Sequence, residues 1–203
     1  MSFFCSCSDN ENGFATSYWG PCLWYVLKFF CLPSKSGQLR SGYLEFFEAC
    51  GFLMPCSSCR SHFQCIHEPQ PKLNTVKERI AYLNRMHNLV SLKVENRVIP
   101  ELSEPQFVKL YSNAETASFA FKFFLTAVLM NSAARRKDST PEEYSAKTQI
   151  VCSFVNSEFE EKLQVLPQNC QSSSFEIFRA KRDMDHCFMS LEKSFSDLEI
   201  LSD

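Results

Sequence analysis

The last glycine of this 203-residue chain is Gly51, and it is one of only five. A GxGxxG turn or a phosphate-cradling P-loop cannot be written without glycines, so any nucleotide cofactor must be gripped by other means. Long apolar runs are missing as well. The longest, "FAFKFFLTAVLM" from Phe119 to Met130, is broken by Lys122 and falls short of the ~20 residues needed to span a bilayer. The opening "MSFFCSCSDNENG" has neither a basic start nor an apolar segment, so it does not read as a secretory signal. The expectation is a cytoplasmic, unexported chain without membrane partners. An excess of one charge is lacking too: Lys+Arg is 21, Asp+Glu is 23 and the formal charge is −2. That leaves no electrostatic footprint for nucleic acid. Apolar/polar alternation at period two is nearly absent, which argues against a sheet.

What is present is a core and sulfur. Hydrophobic residues make up 45% of the chain, with 20 phenylalanines, enough to fill the interior of one domain. The cysteine count is 11, an odd number, so at least one thiol stays unpaired within a monomer. In a cytosolic chain, such enrichment points to catalysis or metal binding before a disulfide scaffold.

Helical patterns recur along the sequence and predict an all-α fold. A first helix is expected from about Pro21, a good first-turn residue, with Trp24, Leu27 and Cys31 on one face. A second covers roughly Gly42 to Leu53, and a short third runs from about Cys56 to His67. After the linker "EPQPK", Thr75 and Glu78 read as a capping box. Behind it Ile80, Leu83, His87, Val90 and Val94 form a stripe at helical spacing. A short fifth helix is expected from about Glu104 to Tyr111 and an apolar sixth from about Glu115 to Ala134. Thr140, Pro141 and Glu143 announce a seventh, and a polar amphipathic stretch follows "PQNCQSSS".

The strongest chemical signal is Cys56-Ser57-Ser58-Cys59. At a helix start, backbone N–H groups and the helix dipole favour a thiolate on the first sulfur. A CxxC alone weighs about equally as redox pair, half a zinc site or buried helix cysteines. Cys56, Cys59, His62 and Cys65 lie at successive i+3 positions, about 13 Å of helix at about 1.5 Å per residue. Such a ladder cannot surround one ion, so zinc would need a second pair, and Cys5 and Cys7 are the only close one. A thioredoxin-type site needs a preceding strand, whereas "GYLEFFEACGFLMP" reads as helix. The other constellation is "RMHNLVSLK", Arg85 to Lys93, with His87 on the apolar face and Asn84, Asn88 and Ser91 beside it. Taken alone it is a core histidine with a solvated flank. Joined to Trp19, Trp24 and a dithiol, it suits a pocket for a flat redox cofactor with a polar tail.

The order "WGPxxWxxL", "PCxxC", "HNxV" resembles that of the Erv/ALR FAD-linked sulfhydryl oxidases, over about Tyr18 to Tyr111. It looks closest to the branch carried by large DNA viruses, which would place the protein in host cytoplasm or virion. The resemblance implies a four-helix bundle plus a short fifth helix, FAD as cofactor, dithiol proteins as substrates, O2 as acceptor and a homodimer. Carried over by position, Cys56 would exchange with the incoming thiol and Cys59 would face the flavin. Trp19, Gly20, Trp24, Lys28, His62, His87, Asn88, Val90, Ser91, Lys93 and Tyr111 would line the cofactor site, with no metal. The chain departs from the family pattern at Lys28, usually His, and at Ser91, usually Asn. Asn96, with Arg97 adjacent, stands where a lysine is usual. Asn84 stands where cellular members carry half of a structural disulfide.

On this reading residues 1–14 form a flexible tail, 15–114 the oxidase-like domain and 115–203 a helical C-terminal extension of unassigned role. Cys5 and Cys7 resemble the shuttle dithiol that many members carry on a mobile arm; the alternative is two incidental cysteines. Cys22, Cys31 and Cys50 are expected in the core. The competing functional readings are a non-enzymatic zinc-binding module using Cys5, Cys7, Cys56 and Cys59, and a degenerate oxidase that only binds partners.

Overall fold

The computed structural model describes residues 16–68, 71–130 and 139–156. Among these residues the chain is all helical. In order they are α1 (Thr16–Cys31), α2 (Tyr43–Leu53), α3 (Ser57–Ile66), α4 (Val76–Glu95), α5 (Glu104–Tyr111), α6 (Ala114–Met130) and α7 (Pro141–Asn156). The tail with Cys5 and Cys7, and the amphipathic stretch after residue 170, lie outside the described residues.

Local chemistry sets most boundaries. The α4 capping box forms as expected: Glu78 N–H donates to Thr75 Oγ1 and Thr75 N–H to the Glu78 carboxylate. Asn96 ends this helix in the left-handed region, at φ 52°. Thr140 with Glu143 opens α7 in the same way, and at the start of α5 the Ser103 N–H and hydroxyl both donate to Gln106 Oε1. Helix α1 departs from expectation. It begins at Thr16, and Pro21 lies inside it. The proline leaves one carbonyl of the first turns without its intrahelical donor. Tertiary burial holds the early turn in place: Trp19 is buried, its ring 6.4 Å from that of Phe124 on α6.

Helix α1 is the hub, packing against α2, α4, α5 and, most extensively, α6. A helix apolar on nearly all sides must be enclosed. From Cys22 to Cys31 every residue of α1 is buried except half-buried Trp24. Helix α6 supplies Ala117, Ala120, Phe121 and Phe124 to the same core, and α7 reaches it through Phe154. The Phe154 ring stacks on Phe46 of α2 at 4.3 Å and meets Phe30 of α1 at 5.3 Å. Tyr144 OH donates to the Val128 carbonyl at 2.6 Å, tying α7 to α6. The hydrophobic core runs across the α5–α6 junction, so α6 and α7 pack on the same core as α1 and α2. Among the described residues no helix is long and apolar enough to cross a membrane.

Candidate functional site

Two groups of side chains bring expected site residues into contact. The first stands where α2 gives way to α3. Cys56 and Cys59 are joined as a disulfide, with Cα atoms 5.2 Å apart. Cys56 is the N-cap of α3, and its sulfur accepts the Cys59 N–H at 3.2 Å. The Ser58 hydroxyl lies 3.3 Å from the same sulfur. Cys56 is 8% exposed and Cys59 is the more open of the two. Arg60, buried one position further on, donates to the Met54 carbonyl at 2.6 Å and so braces the turn that leads into the disulfide. Sequence reasoning missed Arg60, because its partner is a backbone carbonyl and no side-chain pattern marks it.

Helix α3 is seated by close approach to α2. A Cβ on Gly51 would come within 2.2 Å of the Phe63 ring, so the two helices meet where no side chain intervenes. At its far end His67 contacts Tyr82 OH through Nδ1 at 2.5 Å and Glu48 through Nε2 at 3.1 Å, linking α3 to α4 and α2. Helix α3 is thus fixed at both ends.

The second group joins α1, α4 and α5. The Trp24 ring packs on His87 with centroids 4.4 Å apart and planes tilted by 30°. Lys28, buried, places Nζ 3.0 Å from His87 Nδ1 and donates to Tyr111 OH at 3.1 Å. The same ammonium lies over the Tyr111 ring, 4.6 Å from its centroid. Burial lowers the Lys28 pKa to about 8, against a smaller opposing effect of Cys31. Burial first, then the charges of Lys28 and Arg97, push His87 down to about 2, so its imidazole is neutral at physiological pH. Burial raises the Tyr111 phenol above its ordinary value.

The other expected site residues lie on α1, α3 and α4. Trp19 packs against Phe124 of α6. Gly20 is half-buried, with Thr16 at ordinary van der Waals distance from where a Cβ would stand. Asn88 Oδ1 accepts the Ile99 N–H at 2.7 Å, pinning the segment after α4. Val90 is half-buried; Ser91 is buried, and its carbonyl receives the N–H of Asn96. Lys93 is exposed, and its charge adds to partial burial in lowering the His62 pKa, which relates α3 to the end of α4. Cys22, Cys31 and Cys50 are buried in the core, as expected. Among the described residues no three His, Cys, Asp or Glu side chains gather to hold a metal. Cys5 and Cys7, which the zinc reading requires, lie outside them.

No curated protein and no solved structure matches the chain. The model of the Erv1 / Alr family matches residues 17–110, from α1 into α5, which hold both groups except Tyr111, and this match supports the Erv/ALR sulfhydryl oxidase family.

Proposed function

We propose that the protein is an FAD-linked thiol oxidase that turns protein dithiols into disulfides and passes their electrons to O2, giving H2O2. The observation that carries this reading is the Cys56–Cys59 disulfide at the N-terminus of α3, inside the stretch matched by the family model. The second group fits a flavin dinucleotide in its chemistry. Trp24 and His87 offer aromatic surface, and Lys28 is a buried cation whose two hydrogen-bond partners are neutral, so its charge suits an anionic ligand. Trp24, Lys28, His87 and Tyr111 would hold the cofactor, with Trp19, Gly20, His62, Asn88, Val90, Ser91 and Lys93 around them. When bound, FAD supplies a two-electron acceptor that O2 can reoxidise.

The thiol chemistry belongs to the chain's own residues. A substrate thiolate attacks Cys56 Sγ; the Cys56–Cys59 bond breaks and Cys59 leaves as thiolate. A second substrate thiolate then attacks the substrate sulfur of the mixed disulfide, and Cys56 leaves as thiolate. The substrate has lost two electrons and the Cys56/Cys59 pair has gained them. As N-cap, Cys56 departs into a place where the Cys59 N–H and the start of α3 stabilise its negative charge. Cys5 and Cys7 are proposed to relay electrons from bulky protein substrates to Cys56.

Titration of purified protein with FAD tests the reading. Tight uptake with visible flavin absorbance is expected. A folded protein that takes up no FAD, and equally a protein that binds zinc through its cysteines instead, would remove it.

A further inference from the structure

We propose that Lys28 is a positioning residue that locks His87 in its neutral Nε2–H tautomer against Trp24, so that the site offers a planar ligand one fixed imidazole donor. A lysine ammonium can only donate hydrogen bonds, whereas an imidazole nitrogen can donate or accept. With Lys28 Nζ 3.0 Å from His87 Nδ1, that nitrogen must accept, and the ring's one hydrogen is left on Nε2. Trp24 holds the plane of the ring at 4.4 Å. Tyr111 also holds the ammonium, by its hydroxyl and its ring.

Among the described residues, the ionisable groups that act on this pair and on Tyr111 are Cys31 and Tyr25 on α1, Tyr111 itself on α5 and Arg97 beyond α4. None of these is a carboxylate, so none competes with His87 Nδ1 as a strong acceptor for the ammonium. The tautomer follows from the Lys28–His87 geometry with Lys28 as its ammonium. The identity of the ligand that receives Nε2–H rests on the thiol-oxidase reading, in which it is FAD.

The test is ring-nitrogen NMR of His87 in the full-length protein without added flavin, from about pH 5.5 to about pH 7.5, where an ordinary histidine titrates. His87→Gln assigns the signal. The expected result is a single neutral Nε2–H tautomer throughout. Lys28→Met should bring a tautomer mixture or an imidazolium into this range. It should also weaken FAD binding, read by flavin fluorescence, about tenfold, the worth of one ordinary hydrogen bond. A parent His87 protonated on Nδ1, or an unchanged tautomer in Lys28→Met, overturns the proposal. The parent spectrum decides alone if the methionine variant does not fold. A lock without FAD binding leaves this proposal standing and removes the oxidase reading.

Discussion

The Phe63 ring lies so near Gly51 that an added Cβ would stand 2.2 Å from it. Replacing glycine by alanine inside a helix ordinarily stabilises by ~0.5–1 kcal/mol. Here the sign should reverse. Phe63 is buried, and moving it should cost about 1–3 kcal/mol, as overpacking does. Gly51→Ala is expected to lower the thermal midpoint, and a raised midpoint would contradict the packing described for α2 and α3.

Helix α6 lies beyond the matched residues 17–110, yet Phe121 and Phe124 are almost wholly buried in the core shared with α1. Each such side chain contributes ~1.5–3 kcal/mol, a large share of the ~5–15 kcal/mol that holds a domain. A chain ending at Asn113 is expected to lose its cooperative melt. An unchanged melt in that truncation would show that α6 is dispensable.

How much of this was legible in the sequence depended on the range of the interaction. The Thr75/Glu78 and Thr140/Glu143 boxes are local and form as read. Pro21 misled, because first-turn preference is also local and the burial of Trp19 against Phe124 outweighs it. The place of α6 beside α1 was hidden in the same way: its apolar residues marked a helix but not its neighbour. At the site, the family resemblance grouped Lys28, His87 and Tyr111 around one cofactor but did not say which of them touch. Their convergence joins residues 59 and 83 positions apart, which spacing cannot show.

The two cysteines should differ in reactivity. Exposure favours Cys59, whereas the N-cap position stabilises a thiolate on Cys56. In reduced protein, glutathione disulfide should modify Cys56 in Cys59→Ala faster than it modifies Cys59 in Cys56→Ala, read by mass spectrometry of the peptides. The reverse order would reassign the exchanging residue.

Acid should weaken the fold through His87. Its folded pKa is lowered from 6.5 to about 2, so below about 6.5 the unfolded chain takes up a proton that the folded one refuses. The stability it contributes is complete above about 6.5 and drains away as pH falls toward about 2. Between about pH 7.5 and about pH 5 the parent should lose up to about 2 kcal/mol more than His87→Gln, measured by denaturant unfolding. Equal losses in both proteins would place an ordinary, solvated histidine at this position.

The central claim is that Cys56 and Cys59 deliver thiol electrons to oxygen through FAD. Oxygen uptake by the FAD-saturated full-length protein, with dithiothreitol as substrate, tests it most directly. The account predicts steady uptake with stoichiometric H2O2, lost in Cys56→Ser and in Cys59→Ser while both variants stay folded. Uptake that is absent in the parent, or that survives in either variant, would contradict it.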